Sequence, residues 1–537
     1  MYRTAPITPQ RLHALLLESS ELALLDVREA RAFVGAHLNL ARMTPLSGLE
    51  LDVRALVPRL ATPLVLIDDG EADGPASTAV KLLRRLGYSD VHVLAGGIAA
   101  WRDESLPLID GYGTLVKAFG DQVRKRREVP TMRGGVLRES QLAKDSATLI
   151  DVRPADEYAF LSLPGTGNHA GTELALRDWS EESVAAPWVL NCFSRTRAII
   201  GTATLRLLGH PDAHFLEDGV MQWALDGAPV VENARPAPPL PVASDDELRR
   251  RAGSLIARYS LQVIDSDSLS RMRADADRTL YVFDLRPETG AEASGPWMRM
   301  VPGGQLLMHF EHLVGTRGAR IVLVDDSHRL RAAVSAFWLT QLNQADVFVF
   351  EGDLPSPRTE EGEAQRLMDA TADANGITPS ELSALRHAEP GRFMVVDVGP
   401  SADFENHHLP GALYLLPFTL DPLAALCQTA VDGRRIVFSS PDGRAARIVA
   451  RDVCERWPSC EALWLIGGTD AWRRAGLPIE NHWNVAQLLT TFEDDWGSVM
   501  RVTAAQRNRV WEDYLRWERG LGERVMRDRT VSFRLFQ

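Results

Sequence analysis

One pattern recurs four times along the chain: a short apolar run ends in an aspartate, and a second apolar run ends in a polar turn. The aspartates that close the first run are Asp26, Asp151, Asp284 and Asp397. The turns that follow the second run begin at Asp68, Cys192, Asp325 and Ser439. The separations from aspartate to turn are 42, 41, 41 and 42 residues, whereas the gaps between turns vary from 114 to 133. Constant internal spacing with variable outer spacing is typical of tandem domains.

Each copy alternates strand-like runs with helical periodicity. After the polar turn comes an apolar-periodic stretch, then a third apolar run and a glycine turn. This alternation predicts an α/β fold, with one mainly parallel sheet flanked by helices in each copy. The predicted bounds are 1–110 for repeat 1, 130–232 for repeat 2, 245–354 for repeat 3 and 376–480 for repeat 4. Residues 481–537 are predicted to be a helical C-terminal extension that packs on a neighbouring domain, with a homodimer contact as the alternative.

Composition limits the function classes. The net charge of −13 argues against general nucleic-acid binding and against binding to an anionic membrane surface. The first residues contain no apolar signal segment, and no run approaches the ~18 apolar residues of a membrane span. Four cysteines in 537 residues do not make a disulfide framework, so a reducing cytoplasm is predicted. No Cys or His pair has ligand spacing, and we predict neither a metal nor another cofactor.

The turn in repeat 2 carries the clearest chemical signal. Cys192 follows the apolar run Val189–Leu190, and helical periodicity extends from Ala198 to a glycine at position 209. A turn from strand to helix directs backbone N–H groups inward, and the helix terminus adds partial positive charge. We therefore expect a nucleophilic thiol with a lowered pKa at Cys192, with an anion bound above it.

The residues after Cys192 are the candidate anion ligands. They are Phe193, Ser194, Arg195, Thr196 and Arg197. Their backbone N–H groups and the two guanidinium groups can hold developing negative charge. Ser194 and Thr196 have a second interpretation as helix caps.

Two further arginines have structural alternatives. Arg177 could reach over the turn as an extra anion contact, and its alternative is a solvent-exposed position. Arg153 could form an ion pair with Asp151 that fixes the end of the sheet, which is favoured over a catalytic role.

Several short motifs together resemble the rhodanese (thiosulfate sulfurtransferase) family. They are the Asp-Val-Arg strand ends at 26–28 and 151–153, Ala36-His37-Leu38, His408-Leu409-Pro410-Gly411-Ala412, the cysteine turn, and the Gly-Gly-x-x-x-Trp ends at Trp101 and Trp472. The resemblance covers roughly residues 1–480 as four tandem rhodanese-like domains. It implies that Cys192 accepts a sulfane sulfur as a persulfide, which a nucleophile such as cyanide or a thiol discharges. Asp68, Asp325 and Ser439, which align with Cys192, imply that repeats 1, 3 and 4 are inactive.

The resemblance implies a sulfurtransferase that moves sulfur from thiosulfate to cyanide, a small thiol or a protein thiol. A sulfur-relay or scaffold protein that delivers sulfur only to a protein partner is the alternative from another class. A mercaptopyruvate sulfurtransferase remains an alternative, although the basic turn favours thiosulfate as the sulfur donor. A phosphatase is disfavoured, because the turn from Cys192 to Arg197 has six residues and the related phosphatases have one more.

Overall fold

The computed structural model describes residues 6–536, except 19, 143–146, 180–186, 211, 237, 288–296, 354–374 and 430–434. Four sheets follow one another in chain order, one in each repeat. The predicted class, helices flanking mainly parallel sheets, is confirmed. No helix in this part of the chain is both long and apolar enough to cross a bilayer.

The five strands of each repeat have the same order, in which the polar turn follows the central strand and the strand beside it ends in the aspartate. The strands of repeat 2, in sheet order, are Thr131–Met132, Ala213–Leu216, Trp188–Asn191, Thr148–Asp151 and Gly167–Asn168. Those of repeat 3 are Gln262–Ile264, Ala345–Phe350, Ala319–Val324, Leu280–Asp284 and Arg299–Met300. Those of repeat 4 are Gly376–Ile377, Ala462–Leu465, Arg435–Ser439, Phe393–Asp397 and Leu413–Tyr414. Within each of these three sheets every pairing is parallel, as expected for strands joined by helical crossovers.

The sheet of repeat 1 includes one strand from repeat 3. Its own strands are Pro6–Ile7, Val91–Leu94, Leu64–Ile67, Leu22–Asp26 and Arg42–Met43. The sixth strand, Thr316–Arg317, pairs antiparallel with Leu22–Asp26. Repeats 1 and 3 are therefore joined through backbone hydrogen bonds as well as side chains.

Helices cover both faces of these sheets. Those of repeat 1 are Pro9–Leu17, Ala30–Gly35, Leu49–Leu56, Pro75–Arg85 and Gly97–Asp103. Those of repeat 2 are Gly134–Leu142, Ala155–Phe160, the 3₁₀ turn Gly171–Leu176, Thr196–Leu207 and Gly219–Leu225. Those of repeat 3 are Asp245–Tyr259, Ser266–Ala274, Gly303–Met308, Phe310–Leu313 and Leu330–Leu342. Those of repeat 4 are Pro379–Ala388, Ser401–Asn406, the 3₁₀ turn Asp421–Leu423, Ala424–Thr429, Arg444–Arg456 and Gly468–Arg474.

Two helices outside the repeats matter for the site. The linker helix, Thr114–Arg126, connects repeats 1 and 2, and the C-terminal helix spans Ala504–Val525. The C-terminal helix buries Trp511 and Leu515 in a core of repeat 2, which confirms the predicted packing on a neighbouring domain. The extension is helical only in part, because residues 481–503 contain a single 3₁₀ turn, Val485–Gln487.

The apolar cores divide the molecule unevenly. One continuous core draws on repeats 1, 2 and 3 and includes Leu521 and Val525 of the C-terminal helix. The cores of repeat 4 are separate. Repeat 4 instead meets repeat 1 through polar contacts, such as Arg451 with both carboxylate oxygens of Glu50 at 2.9 Å.

An ion pair closes the sheet end in three repeats. In repeat 2 Arg153 Nη2 lies 2.7 Å from Asp151 Oδ2, and both side chains are fully buried. The same arrangement occurs at Arg28 with Asp26 and at Arg286 with Asp284. The predicted structural role of this pair is confirmed.

Candidate active site

The strand register identifies which residue opens each turn. Asp151 lies opposite Asn191, so Cys192 is the first residue beyond the strand. In repeat 4 Asp397 lies opposite Ser439, so the equivalent first residue is Ser440. The prediction of Ser439 is wrong by one position, because Ser439 ends the strand and donates to Asp397 Oδ2 at 2.9 Å.

One backbone contact recurs at all four positions. The N–H of Ala198 hydrogen-bonds to the Cys192 sulfur. At the equivalent positions the N–H groups of Ala76, Ala332 and Ala446 donate to Asp68, Asp325 and Ser440 at 3.1, 3.2 and 3.3 Å. The separation between the two partners is six residues in repeats 2 and 4, seven in repeat 3 and eight in repeat 1. The two six-residue turns belong to the cysteine and the serine.

The Cys192 turn is held by hydrogen bonds from the helix Gly219–Leu225. Val220 N and Met221 N donate to the carbonyls of Cys192 and Phe193, both at 3.0 Å. Gly219, at φ +59°, packs so closely that a Cβ there would lie 2.3 Å from the Cys192 carbonyl oxygen. Glycine is required because only a residue without Cβ tolerates both that φ and that contact.

The Cys192 thiol has the opposite pKa shift from the predicted one. Its side chain is only 2% exposed, and burial raises its pKa to about 11. Arg197 and the Ala198 N–H favour the thiolate, whereas the charges of Glu518 and Asp151 oppose it. The prediction counted the cations and the helix terminus in the turn. It missed the loss of hydration and the two carboxylates.

The two arginines of the turn are both paired. Arg197 donates through Nη1 and Nη2 to the two carboxylate oxygens of Glu157, each at 2.6 Å. Arg195 Nη2 lies 3.2 Å from Asp121 Oδ1 of the linker helix, and its Nε lies 3.8 Å from Asp218 Oδ1. Arg197 acts electrostatically on Cys192, whereas Arg195 joins the turn to the linker helix.

The remaining residues of the turn are held by packing. The Phe193 ring meets Trp511 of the C-terminal helix edge to face, with centroids 5.4 Å apart. Thr196 is buried beside Gly120 of the linker helix. The helix begins at Thr196 with Arg195 at the N-cap and no side-chain cap hydrogen bond, so the predicted capping by Ser194 or Thr196 is wrong.

Arg177 does not lie over the Cys192 turn. Its Nη1 donates to the Leu240 carbonyl at 3.0 Å, and its guanidinium faces Glu173 and Arg331. The structure therefore brings Arg177 to the edge between repeats 2 and 3, not to the groups whose charges act on Cys192.

The C-terminal helix supplies two polar side chains beside the turn. Tyr514 and Glu518 both make hydrogen-bonding contact with Ser194, and both interact electrostatically with Cys192. Burial raises the pKa of each of the two groups. Glu518 is only 5% exposed.

The linker helix places Lys117 beside Tyr514 of the C-terminal helix. Lys117 Nζ donates to the Tyr112 carbonyl and lies 5.7, 5.8 and 5.4 Å from the ring centroids of Tyr112, Tyr514 and Trp517. Burial lowers the pKa of Lys117, and the nearby charge of Glu518 raises it. The turn of repeat 2 is thus enclosed by two helices that belong to no repeat.

Sequence reasoning missed Lys117, Glu157, Tyr514 and Glu518. One signal could have found Glu518, because it lies on the buried stripe that Trp511, Leu515, Leu521 and Val525 form along the C-terminal helix. A carboxylate on such a stripe is unusual unless it is paired or functional.

A family model described as a rhodanese-like domain matches residues 8–104 and 137–226. A search of curated proteins returned no match.

Among solved structures, a likeness extends over the full length of the chain. The chain is 33% identical to the thiosulfate sulfurtransferase from Pseudomonas aeruginosa, with a TM-score of 0.86, and the match covers 99% of this chain and 100% of that one. A rhodanese-like domain protein from Staphylococcus aureus is 20% identical, with a TM-score of 0.17, over 20% of this chain and 99% of its own. A rhodanese-related protein from Thermoplasma volcanium is 13% identical, with a TM-score of 0.17, over 20% of this chain and 100% of its own.

Proposed function

Because this chain belongs to the rhodanese family of sulfurtransferases, we propose that it moves a sulfane sulfur from thiosulfate to a small thiophilic acceptor through a Cys192 persulfide. The observation that carries the proposal is the set of four equivalent turns. Only Cys192 offers a thiol at the position where Asp68, Asp325 and Ser440 stand in the other repeats.

The proposed organisation is four tandem rhodanese-like domains with the predicted bounds, of which only repeat 2 is active. A carboxylate at the position of the sulfur cannot carry a sulfane sulfur and repels an anionic donor. The Ser440 hydroxyl lacks the nucleophilicity of a thiolate. In the part of the chain that the structure describes, its hydrogen-bond partner is the Ala446 N–H, which is not a base.

The proposed reaction has two steps at one sulfur atom. The Cys192 thiolate attacks the outer sulfur of thiosulfate, the S–S bond of thiosulfate breaks, and sulfite leaves with the electron pair. The acceptor nucleophile then attacks the outer sulfur of the persulfide, and the Cys192 thiolate leaves. Arg197 supplies positive charge beside the sulfur in both steps, and the Ala198 N–H donates to it.

Burial of the turn favours a small acceptor over a protein thiol. Cys192 is 2% exposed, and the C-terminal helix packs on the turn through Trp511 and Phe193. Cyanide or a small thiol can enter where a folded partner cannot without displacing the helix. Relay to a protein partner is therefore the second candidate, and mercaptopyruvate is the alternative donor. The proposed compartment is the cytoplasm, because four free cysteines suit a reducing environment.

The test is thiosulfate-to-cyanide transfer by the wild type and by Cys192→Ser, with mass spectrometry of each protein after thiosulfate alone. We expect the wild type to gain one sulfur atom and the serine variant to lose both the adduct and the turnover. Cys454→Ser removes a half-buried cysteine of repeat 4 and serves as the matched control that keeps both. A wild type with neither adduct nor turnover would contradict the thiosulfate proposal and favour another donor or the relay.

A further inference from the structure

Glu518 is a buried carboxylate with an unsatisfied oxygen beside the reactive thiol. Its Oε2 has no hydrogen-bond partner in the described part of the structure, although its side chain is 5% exposed. A buried carboxylate oxygen without a partner costs free energy, so its presence calls for an explanation. Packing does not provide one, because the neighbouring buried positions of this helix face are apolar, such as Leu515 and Leu521.

The surroundings of Glu518 place it on the Cys192 turn. Ser194, two residues after Cys192, makes hydrogen-bonding contact with Glu518. The charged groups that face Glu518 are Lys117 from the linker helix, Arg195 from the turn and Asp218 from the start of the next helix. Tyr514 lies one turn before it on its own helix and faces both Cys192 and Glu518.

The charges of Glu518 and Cys192 disfavour each other. The carboxylate raises the pKa of the thiol, so the pair is more stable with one negative charge than with two. A proton shared between the two groups satisfies this condition at each stage of a sulfur-transfer cycle. Asp151, the other carboxylate that acts on Cys192, is held by Arg153 at 2.7 Å and cannot take this part.

We propose that Glu518 is the proton acceptor and donor for Cys192, a role that rests on the proposed function. In the first half-reaction the thiol proton passes to the Glu518 carboxylate. The thiolate forms a bond to the outer sulfur of thiosulfate, and sulfite leaves with the electron pair of the broken S–S bond. Glu518 holds the proton while the persulfide exists. When the acceptor takes the outer sulfur, the Cys192 thiolate leaves and recovers the proton from Glu518.

The assignment explains how a thiol with a raised pKa reacts near neutral pH. With a pKa of about 11, very little Cys192 is ionised at neutral pH, so the nucleophile needs a base within the site. Burial also raises the pKa of Glu518, which makes its carboxylate a stronger base. The C-terminal extension thereby completes the site of repeat 2.

Glu518→Gln tests the proposal because it removes the base and keeps the shape of the side chain. We expect the single-turnover rate of persulfide formation at neutral pH to fall about 10²-fold, the usual size of a general-base effect. The deficit should shrink as pH rises, because hydroxide replaces the missing base. The midpoint of Cys192 alkylation by iodoacetamide should move to lower pH, because a like charge has been removed. Slower persulfide formation in spite of a more acidic thiol would separate proton transfer from charge repulsion alone.

Two further variants separate proton transfer from packing. Glu512→Gln changes an exposed glutamate of the same helix and should leave both measurements unchanged. Glu518→Asp keeps a carboxylate and should recover part of the lost rate. A rate for Glu518→Gln equal to that of the wild type, an unchanged alkylation profile, or an aspartate variant as slow as the glutamine variant would overturn the proposal. If the wild type gains no sulfur at all, the proposed function fails. An alkylation midpoint that does not move in Glu518→Gln would then still overturn the role of Glu518.

Discussion

The turns of repeats 2 and 4 have equal length and the same N–H contact six residues on, yet their surroundings differ. In repeat 2 the turn is enclosed by the linker helix and the C-terminal helix, and Arg197 lies beside the sulfur. In repeat 4 the turn carries Arg444 paired with Asp442, and both of these side chains are exposed. The backbone of the turn is therefore common to both repeats, and the difference lies in the side chains around it. Around Cys192 these side chains come from Arg197 of the turn itself and from two helices that belong to no repeat.

The largest effect is expected when the thiol is moved from one of these turns to the other. Moving the thiol in the double variant Cys192→Ser/Ser440→Cys places it on the six-residue turn of repeat 4. We expect turnover to stay at least about 10³-fold below the wild type, because Ala445 stands where Arg197 stands in repeat 2. The measurement is thiosulfate-to-cyanide transfer, with alkylation as the control that the new thiol is reachable. Recovery of more than a small part of the activity would show that the enclosing helices are dispensable.

Arg197 is the cation that distinguishes the turn of repeat 2 from that of repeat 4. Glu157→Gln should lower the KM for thiosulfate, because it leaves the charge of Arg197 uncompensated. Arg197→Met combined with Glu157→Gln should raise that KM about 10²-fold while kcat changes less, as expected for loss of donor binding. Steady-state kinetics of the two variants measure effects of opposite sign. A fall in kcat at constant KM in the double variant would contradict a binding role.

The smallest expected effect concerns the strand-end aspartate. Gly399 replaces the arginine in repeat 4, and burial raises the pKa of Asp397 to about 6. Since the folded pKa lies above the unfolded value, the stabilising contribution is fully present below about pH 4 and is lost as pH rises through about 6. Asp397→Asn should therefore stabilise the protein more at about pH 7.5 than at about pH 5, by about 1 kcal/mol.

Thermal melts of the wild type and Asp397→Asn at the two pH values check this difference. Asp151→Asn is the matched variant in repeat 2, where it leaves Arg153 buried without its charged partner and should destabilise at both pH values. An Asp397→Asn effect that is equal at both pH values would contradict the raised pKa.

The tandem architecture was predictable because each repeat follows local rules. Apolar runs that end in Asp151 or Asp397, followed by a turn and a helical pattern, specify strand, turn and helix wherever they occur. The position of Ser440 was missed by one residue, because sequence spacing does not give the register between strands. Backbone hydrogen bonding fixes that register.

The site was predictable only as far as the turn extends. Cys192 and Arg197 are close in sequence, so the turn itself brings them together. Glu157 reaches Arg197 across 40 residues, and Glu518 arrives from more than 300 residues away. The predicted pKa shift of Cys192 had the wrong sign for the same reason, because desolvation and like charge come from elements that only packing brings there.

Three features could be predicted from the amino-acid sequence: the repeated α/β units, the single thiol among four equivalent turns, and the Asp151–Arg153 pair. These depend on hydrophobic periodicity and on contacts within a few residues. The tertiary structure decided that Arg195 binds Asp121 instead of facing an anion, that Arg177 lies elsewhere, and that the C-terminal helix encloses the turn. Electrostatics in a buried site depends on every charge within several ångströms, and chain separation says nothing about that distance.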